Sequence, residues 1–160
     1  MRVFGIDPGT LVCGYGVVDF DGNCMKVVDY GVVRCSRRPL PERLHTIHGG
    51  LTSLIARYRP DVAAVEGVFH GINPRTALKI GEGRGVALLA AASAGIRIVE
   101  YSPATVKKAI VGSGRAHKSQ VQQMVRVLLA LQEIPQPEDA ADALAIAICH
   151  CHRARLENVT

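Results

Sequence analysis

The chain opens on a short apolar run, Val3-Phe4-Gly5-Ile6, which ends in Asp7 and is followed at once by Pro8-Gly9. A run this short, bounded by turn residues, predicts a buried strand. Gly14 to Asp19 predicts a second strand, and Asp21-Gly22 marks a hairpin into a third at Met25 to Val33. The chain thus begins as an antiparallel meander. The period then changes. From Pro41 to Tyr58, the residues Leu44, Ile47, Leu51, Leu54, Ile55 and Tyr58 recur at helical spacing. Gly49-Gly50 either weakens that helix or marks close packing, and Pro60 ends it. Asp61 to Glu66 predicts another short buried strand, again closed by a carboxylate.

Asn73-Pro74 pairs an N-cap residue with a proline suited to the first helical position. It predicts a helix to about Ala94, in which Gly81, Gly83 and Gly85 would admit another backbone. Arg97 to Tyr101 reads as the last strand. Ser102-Pro103 starts a further helix by the same capping logic, to about Val111. A basic glycine-rich loop, Gly112 to Lys118, leads into an amphipathic helix marked by Val121, Met124, Val125, Leu128 and Leu129. Ile134-Pro135-Gln136-Pro137 breaks it, and a final helix is expected from Glu138 to about Arg155. Strands paired first as hairpins, then alternating with helices, predict an α/β fold. Its mixed five-stranded sheet would have helices on its faces and right-handed crossovers in the second half.

Composition narrows the class. With 160 residues and 48% hydrophobic content, the chain suits one compact domain with its own core. That domain is expected at 1–155, with 156–160 as a short C-terminal tail. A net charge of +5 suits contact with a polyanion such as nucleic acid or an acidic membrane. The absence of Trp disfavours a membrane-interface helix, and no apolar run is long enough to span a bilayer. Five scattered cysteines without framework spacing predict reduced thiols. The first apolar run is broken at Asp7, so no signal peptide is expected. The expected location is the cytoplasm.

Candidate chemistry lies in four carboxylates. Asp7 either caps the turn at Pro8-Gly9 or is a buried charge that needs a cation. Glu66 ends a second apolar strand. Asp139 and Asp142, three apart, share a face of a helix that is apolar on nearly every side. They either favour the exposed first turn, where acidic residues suit the helix dipole, or enter the interior. If the four converge, oxygen donors alone point to a hard cation, Mg²⁺ or Mn²⁺. Two such ions would clamp the attacking water and the leaving oxygen of a phosphodiester. Lys107 and Lys118 are by their chemistry phosphate contacts or solvated lysines. Cys149-His150-Cys151-His152 invites a zinc reading. Consecutive helical residues, however, splay at about 100° per step and do not converge on one ion.

Four separated segments carry a resemblance. They are Gly5-Ile6-Asp7-Pro8-Gly9, Glu66-Gly67-Val68-Phe69, Lys118-Ser119-Gln120-Val121-Gln122 and Asp139-Ala140-Ala141-Asp142-Ala143-Leu144-Ala145. In this order they resemble the RuvC family of bacterial Holliday junction resolvases, crossover junction endodeoxyribonucleases of the ribonuclease H-like superfamily. The resemblance runs from the first strand to about His152. It implies a ribonuclease H-like fold, a homodimer, and Mg²⁺-dependent resolution of four-way DNA junctions by paired symmetric nicks in recombination and repair. Two Mg²⁺ ions per site are implied, with Mn²⁺ as a substitute, and 5′-phosphate and 3′-hydroxyl ends. The branch-migration complex RuvA–RuvB is the implied partner.

Matched residue by residue, Asp7, Glu66, Asp139 and Asp142 correspond to the family's acidic metal ligands. Asp139 stands where some members have histidine. Phe69 matches a loop aromatic that stacks on a base near the junction centre, and Lys107 and Lys118 match basic positions that meet the DNA backbone. Lys108, Arg115 and His117 add local positive charge, and Arg75, Lys79 and Arg84 extend a track along one helix. A longer basic C-terminal tail, carried by some members, is not expected here, which touches affinity more than chemistry. Two other readings stand beside this one. The first strand and its turn also resemble the first phosphate loop of actin-like and sugar-kinase phosphotransferases, which need two such domains. A non-catalytic junction-binding protein would keep Phe69, Lys107 and Lys118 but not the carboxylates.

Overall fold

The computed structural model describes residues 1–67 and 73–157. Five strands form one sheet: β1 (Arg2–Asp7), β2 (Val12–Phe20), β3 (Met25–Arg34), β4 (Val62–Glu66) and β5 (Arg97–Tyr101). Their order is β3-β2-β1-β4-β5, so β1 is central. β1 pairs antiparallel with β2 and parallel with β4, and β4 pairs parallel with β5. The expected mixed five-stranded α/β sheet is present. β2 reaches two residues further back than its apolar pattern implies, because Val12 and Cys13 pair with Arg34 and Val33 of β3. The hairpin forms at Asp21, whose Oδ1 accepts from the amides of Asn23 and Cys24 at 2.9 and 2.8 Å.

The helices are α1 (Leu40–Tyr58), α2 (Pro74–Ser93), α3 (Pro103–Val111), α4 (Lys118–Leu128) and α5 (Glu138–Glu157). The caps act as the sequence implies. Asn73 accepts from the Arg75 amide at 2.9 Å, and Ser102 accepts from the Thr105 amide at 3.1 Å. α1 ends at Arg59 in the left-handed conformation, just before Pro60.

Alternation along the strands divides the interior into two cores. Phe4, Ile6, Ala63 and Val65 point to α1 and α2, packing with Ile47, Leu51, Ile55, Ala87 and Ala91. Val3, Val18, Val62 and Ala64 point the other way, to α5 with α3 and α4 beside it. Each fully buried large aliphatic side chain contributes roughly 1.5–3 kcal/mol relative to exposure. Gly50 decides the ambiguity in α1. A methyl group there would meet Val33 Cγ1 at 2.6 Å, so it marks close packing on β3. On α2, Gly83 rests on the backbone of Gly9, whereas Gly81 and Gly85 face open space.

α5 lies closest to the sheet. A methyl group at Gly5 of β1 would stand 2.1 Å from the Ala143 carbonyl oxygen, and one at Gly14 of β2 would stand 2.0 Å from that of Asp139. These two glycines, whose neighbours along the strand Ile6 and Cys13 face the other core, let the helix backbone settle directly on β1 and β2. That contact draws the acidic first turn of α5 down over the C-terminal end of central β1.

Candidate active site

Asp7 is the last residue of β1 and Glu66 the last of β4. The strands are adjacent and parallel, with Ile6 beside Val65, so the two carboxylates leave the sheet side by side. Both share strand parity with residues that face α5, Val3 with Asp7 and Ala64 with Glu66. Asp7 is paired across β1 and β2 with Gly14, and it is over Gly14 that the Asp139 backbone sits. Asp142 follows one turn on. The tertiary fold therefore brings together residues 7, 66, 139 and 142, although they lie far apart in the chain.

The electrostatics of this group are unbalanced. Burial pushes the Asp7 carboxyl up to about 8, and the charges of Glu66, Asp142 and Asp139 add to the effect, with Lys118 opposing them. Burial and the charge of Asp142 also raise Glu66, against the influence of Lys118 and Lys107. Asp142 is raised by burial despite its hydrogen bond from Lys118. A carboxylate that accepts a proton this readily lacks cationic compensation. An all-oxygen set of this kind fits a hard divalent ion, which would supply that compensation. As the side chains stand, no three His, Cys, Asp or Glu among the described residues are grouped tightly enough to hold one ion. Asp142 is turned toward Lys118, whose Nζ is 2.7 Å from its Oδ2.

Glu66, Lys107, Lys118 and Asp142 line a cavity of about 180 Å³, floored by Val106, Val121 and Ile146. Lys107 thus faces the carboxylates from α3 and Lys118 from the start of α4. Lys108, next to Lys107 on the helix, faces elsewhere, into a concavity of about 590 Å³ with His152, Arg153 and Arg155. Arg115 and His117 lie exposed in the turn before α4, where the His117 amide donates to Gln120 Oε1 at 2.9 Å. Arg75 and Lys79 are exposed on the first turns of α2. Arg84 is engaged within the chain, its Nε 2.7 Å from Glu100 Oε2. Phe69 lies outside the described residues.

Two features were not singled out as site residues in the sequence. Glu138, at the first position of α5, reaches Lys118 at 3.2 Å. Gly5 and Gly14 seat α5, and their signal was a glycine in an otherwise buried strand, which marks close backbone approach. The Cys149-His150-Cys151-His152 run is divided among separate neighbours. His150 Nδ1 is 2.7 Å from the Tyr101 hydroxyl, and His152 Nδ1 is 3.0 Å from the Ala109 carbonyl oxygen.

Residues 3–150 match the model of the family described as "Crossover junction endodeoxyribonuclease RuvC". A relative of that name from Heliobacterium modesticaldum is 55% identical over 95% of this chain and 94% of its own length. One from Chloroflexus aggregans is 53% identical over 96% of this chain and 94% of its own. Among solved structures, Thermus thermophilus RuvC superposes with a TM-score of 0.89 at 40% identity, covering 98% of this chain and 97% of that one. The same protein in complex with a Holliday junction substrate gives 0.87 at 38% identity, covering 98% and 96%. The yeast mitochondrial Holliday junction resolvase Ydc2, at 15% identity and a TM-score of 0.66, shares the fold. On these grounds the chain belongs to the RuvC family of crossover junction endodeoxyribonucleases.

Proposed function

We propose that the protein resolves four-way DNA junctions by paired, symmetric, metal-dependent nicks, with Asp7, Glu66, Asp139 and Asp142 as the catalytic carboxylates. The observation that carries this reading is the meeting of Asp7 and Glu66 beneath the first turn of α5, with too little positive charge to balance them. Membership of a family of metal-dependent junction nucleases supports it.

Two Mg²⁺ ions, or Mn²⁺ in their place, would supply Lewis-acid activation of a water and neutralise the leaving 3′ oxygen, so that 5′-phosphate and 3′-hydroxyl ends result. Asp7, central among the carboxylates, would hold a cation together with Glu66 on one side and the α5 aspartates on the other. Lys107 and Lys118, which line the cavity with Glu66 and Asp142, would hold the phosphodiester against the carboxylates. The turn at Pro8-Gly9 would leave room beside Asp7 for a metal and a phosphate. The chain can turn there because Gly9 has no side chain, where a methyl group would stand 2.1 Å from the Val12 carbonyl oxygen. Arg75, Lys79, Lys108, Arg115 and His117 would extend contact along the phosphate backbone, and Phe69 would stack on a base at the junction centre.

Paired nicking requires two sites, and we read the protein as a homodimer. Leu78 and Leu89 are 65% and 57% exposed on α2, on the same side as Gly85, whose missing side chain leaves open space. That face suits a second copy of the helix. Work alongside the branch-migration complex RuvA–RuvB rests on family membership. A cytoplasmic location fits five free cysteines, and no described helix is long and apolar enough to cross a membrane. Residues 1–155 are read as one nuclease domain.

The test compares cleavage of a mobile four-way junction with that of linear duplex, in Mg²⁺ and in EDTA. Asp7→Asn should bind the junction without cutting it, and cutting at the normal rate would refute the mechanism. Sedimentation showing only monomer at micromolar concentration, free and junction-bound, would refute the dimer.

A further inference from the structure

Lys118 opens α4 and Glu138 opens α5, and the two helix starts meet beside Asp142. The Lys118 ammonium stands 2.7 Å from Asp142 Oδ2 and 3.2 Å from Glu138 Oε2. Glu138 and Asp142 are four apart on α5, so their side chains stack along one face with the ammonium between them. The two carboxylates differ in setting. The Asp142 side chain is 29% exposed and lines the cavity with Glu66 and Lys107, whereas that of Glu138 is 64% exposed at the rim. Partly exposed ion pairs add little to folding stability, so stability gives no reason for this arrangement.

The arrangement has a consequence for any cation entering the cluster. Asp142 cannot give its oxygens fully to a divalent ion while an ammonium occupies them, and two positive groups at one carboxylate repel. The long lysine stem lets Nζ move over several ångströms while its backbone stays fixed in α4. Glu138 offers the displaced ammonium a partner within that swing, at the edge where DNA would arrive. Without Glu138, the contested Asp142 is the carboxylate left in ion-pair contact with the ammonium among the described residues.

We propose that Lys118 is the site's own counter-ion, neutralising Asp142 until a divalent cation binds, and that Glu138 is a positioning residue that keeps the displaced ammonium at the rim, ready for a DNA phosphate. The proposal rests on the carboxylate cluster binding a divalent cation, as read above. Lys118 thereby has two successive partners, and Glu138 decides how easily it passes from one to the other.

Two measurements on the full chain without DNA test this. The first is acylation of lysines by an amine-reactive reagent, read by mass spectrometry, with exposed Lys26 as the internal reference. In EDTA, Lys118 should react several-fold more slowly than Lys26, because its ammonium is held between Asp142 and Glu138. Mg²⁺ should accelerate Lys118 modestly in the wild type and more strongly in Glu138→Gln, where no second anchor remains. A Lys118 rate that ignores Mg²⁺ would overturn the counter-ion role. An identical response in Glu138→Gln would overturn the role of Glu138.

The second is Mn²⁺ binding by electron paramagnetic resonance across a double-mutant cycle. Lys118→Met should tighten Mn²⁺ binding. Glu138→Gln should weaken it when Lys118 is present and change it little in Lys118→Met. Equal effects in both backgrounds are what a simple long-range charge gives, and they would refute the positioning role. If wild-type protein binds no Mn²⁺, the cation reading of the cluster itself fails. Mn²⁺ binding with an unresponsive Lys118 refutes only the present proposal.

Discussion

The two ends of α5 press polar side chains against the same sheet and treat them in opposite ways. At the C-terminal end, His150 is 5% exposed and its Nδ1 meets the Tyr101 hydroxyl at 2.7 Å. Burial pushes the His150 imidazole down from its ordinary value, with Arg97 acting in the same direction, and burial pushes the Tyr101 phenol up to about 12. Both groups therefore stay neutral, and each satisfies the other. At the N-terminal end, Asp139 and Asp142 meet Asp7 and Glu66, and these four carboxylates outnumber the cations beside them, Lys118 on Asp142 and Lys107 across the cavity. A neutral hydrogen-bonded pair is complete within the chain, whereas four half-buried carboxylates with Lys118 engaging Asp142 keep an excess of negative charge that an added cation would offset. The first arrangement supports the fold, and the second has a use only if something binds.

The largest effects should come from the acidic end. Asp7→Asn should reduce junction cleavage by about 10²–10³-fold or more, the scale for loss of a preorganised electrostatic group, while junction affinity in Ca²⁺ is retained. The same substitution should stabilise the protein in EDTA, and pH gives the sign. With its pKa raised from 3.8 to about 8, Asp7 keeps in the folded state a proton that the unfolded chain releases. Its contribution to stability is full below the unfolded value and is lost as pH rises through the folded one. The advantage of Asp7→Asn in melting temperature should therefore grow from about pH 4 to about pH 8 and then level off. Excess Mg²⁺ should reverse it. If Asp7→Asn melts below wild type in EDTA at pH 8, the two ends of α5 do not differ as described.

Next in size is the seat that both ends share. Gly5→Ala would drive a methyl group into the Ala143 carbonyl, where backbone on both sides leaves no flexible neighbour to yield. Overpacking of this kind costs about 1–3 kcal/mol or more, readable as a lowered urea midpoint. Cleavage should fall as well, since α5 cannot lift off β1 without carrying Asp139 and Asp142 away from Asp7.

The neutral end should give a smaller, purely structural effect. His150→Leu leaves the Tyr101 hydroxyl without its partner and should cost about 1–3 kcal/mol, with cleavage per folded molecule unchanged. His150 also carries a pH signature opposite to that of Asp7. Its pKa is lowered from 6.5, so the unfolded chain takes up a proton first as pH falls. Its stabilising contribution is present above the unfolded value and is lost as pH falls through the folded one. His150→Gln should flatten that acid slope, and a slope that persists would place the acid sensitivity elsewhere.

The smallest effects belong to the exposed basic residues. Lys79→Ala or Arg115→Ala should weaken junction binding a few-fold and reduce the salt slope by about one. Arg84→Ala should do less, because Glu100 already engages that guanidinium.

Much of the architecture was legible because it depends on local chemistry. Asp21-Gly22, Asn73-Pro74 and Ser102-Pro103 act within a few residues of themselves, so the hairpin and two helix starts follow from neighbours in sequence. The start of β2 was not legible, because Val12 and Cys13 are held as strand by Arg34 and Val33 some twenty residues away. The glycine pair in α1 and the three glycines of α2 were ambiguous for the same reason. The facing partner separates Gly50, pressed on Val33, and Gly83, pressed on Gly9, from Gly81 and Gly85, where a methyl group would meet no described atom within 4 Å.

By itself the sequence determined which residues carry charge at the ends of apolar segments, and four ordered motifs identified the family. The tertiary structure decided what those charges meet. Parallel pairing of β1 with β4 set Asp7 beside Glu66, and the bare backbone at Gly5 and Gly14 allowed α5 to bring its aspartates over them. It also decided that Lys118 rests on Asp142 and Glu138 rather than standing free in solvent. Charge is a property of single residues and can be read along a chain. Burial, like-charge crowding and the choice of ion-pair partner are properties of separations in space, and these exist only once the chain is folded.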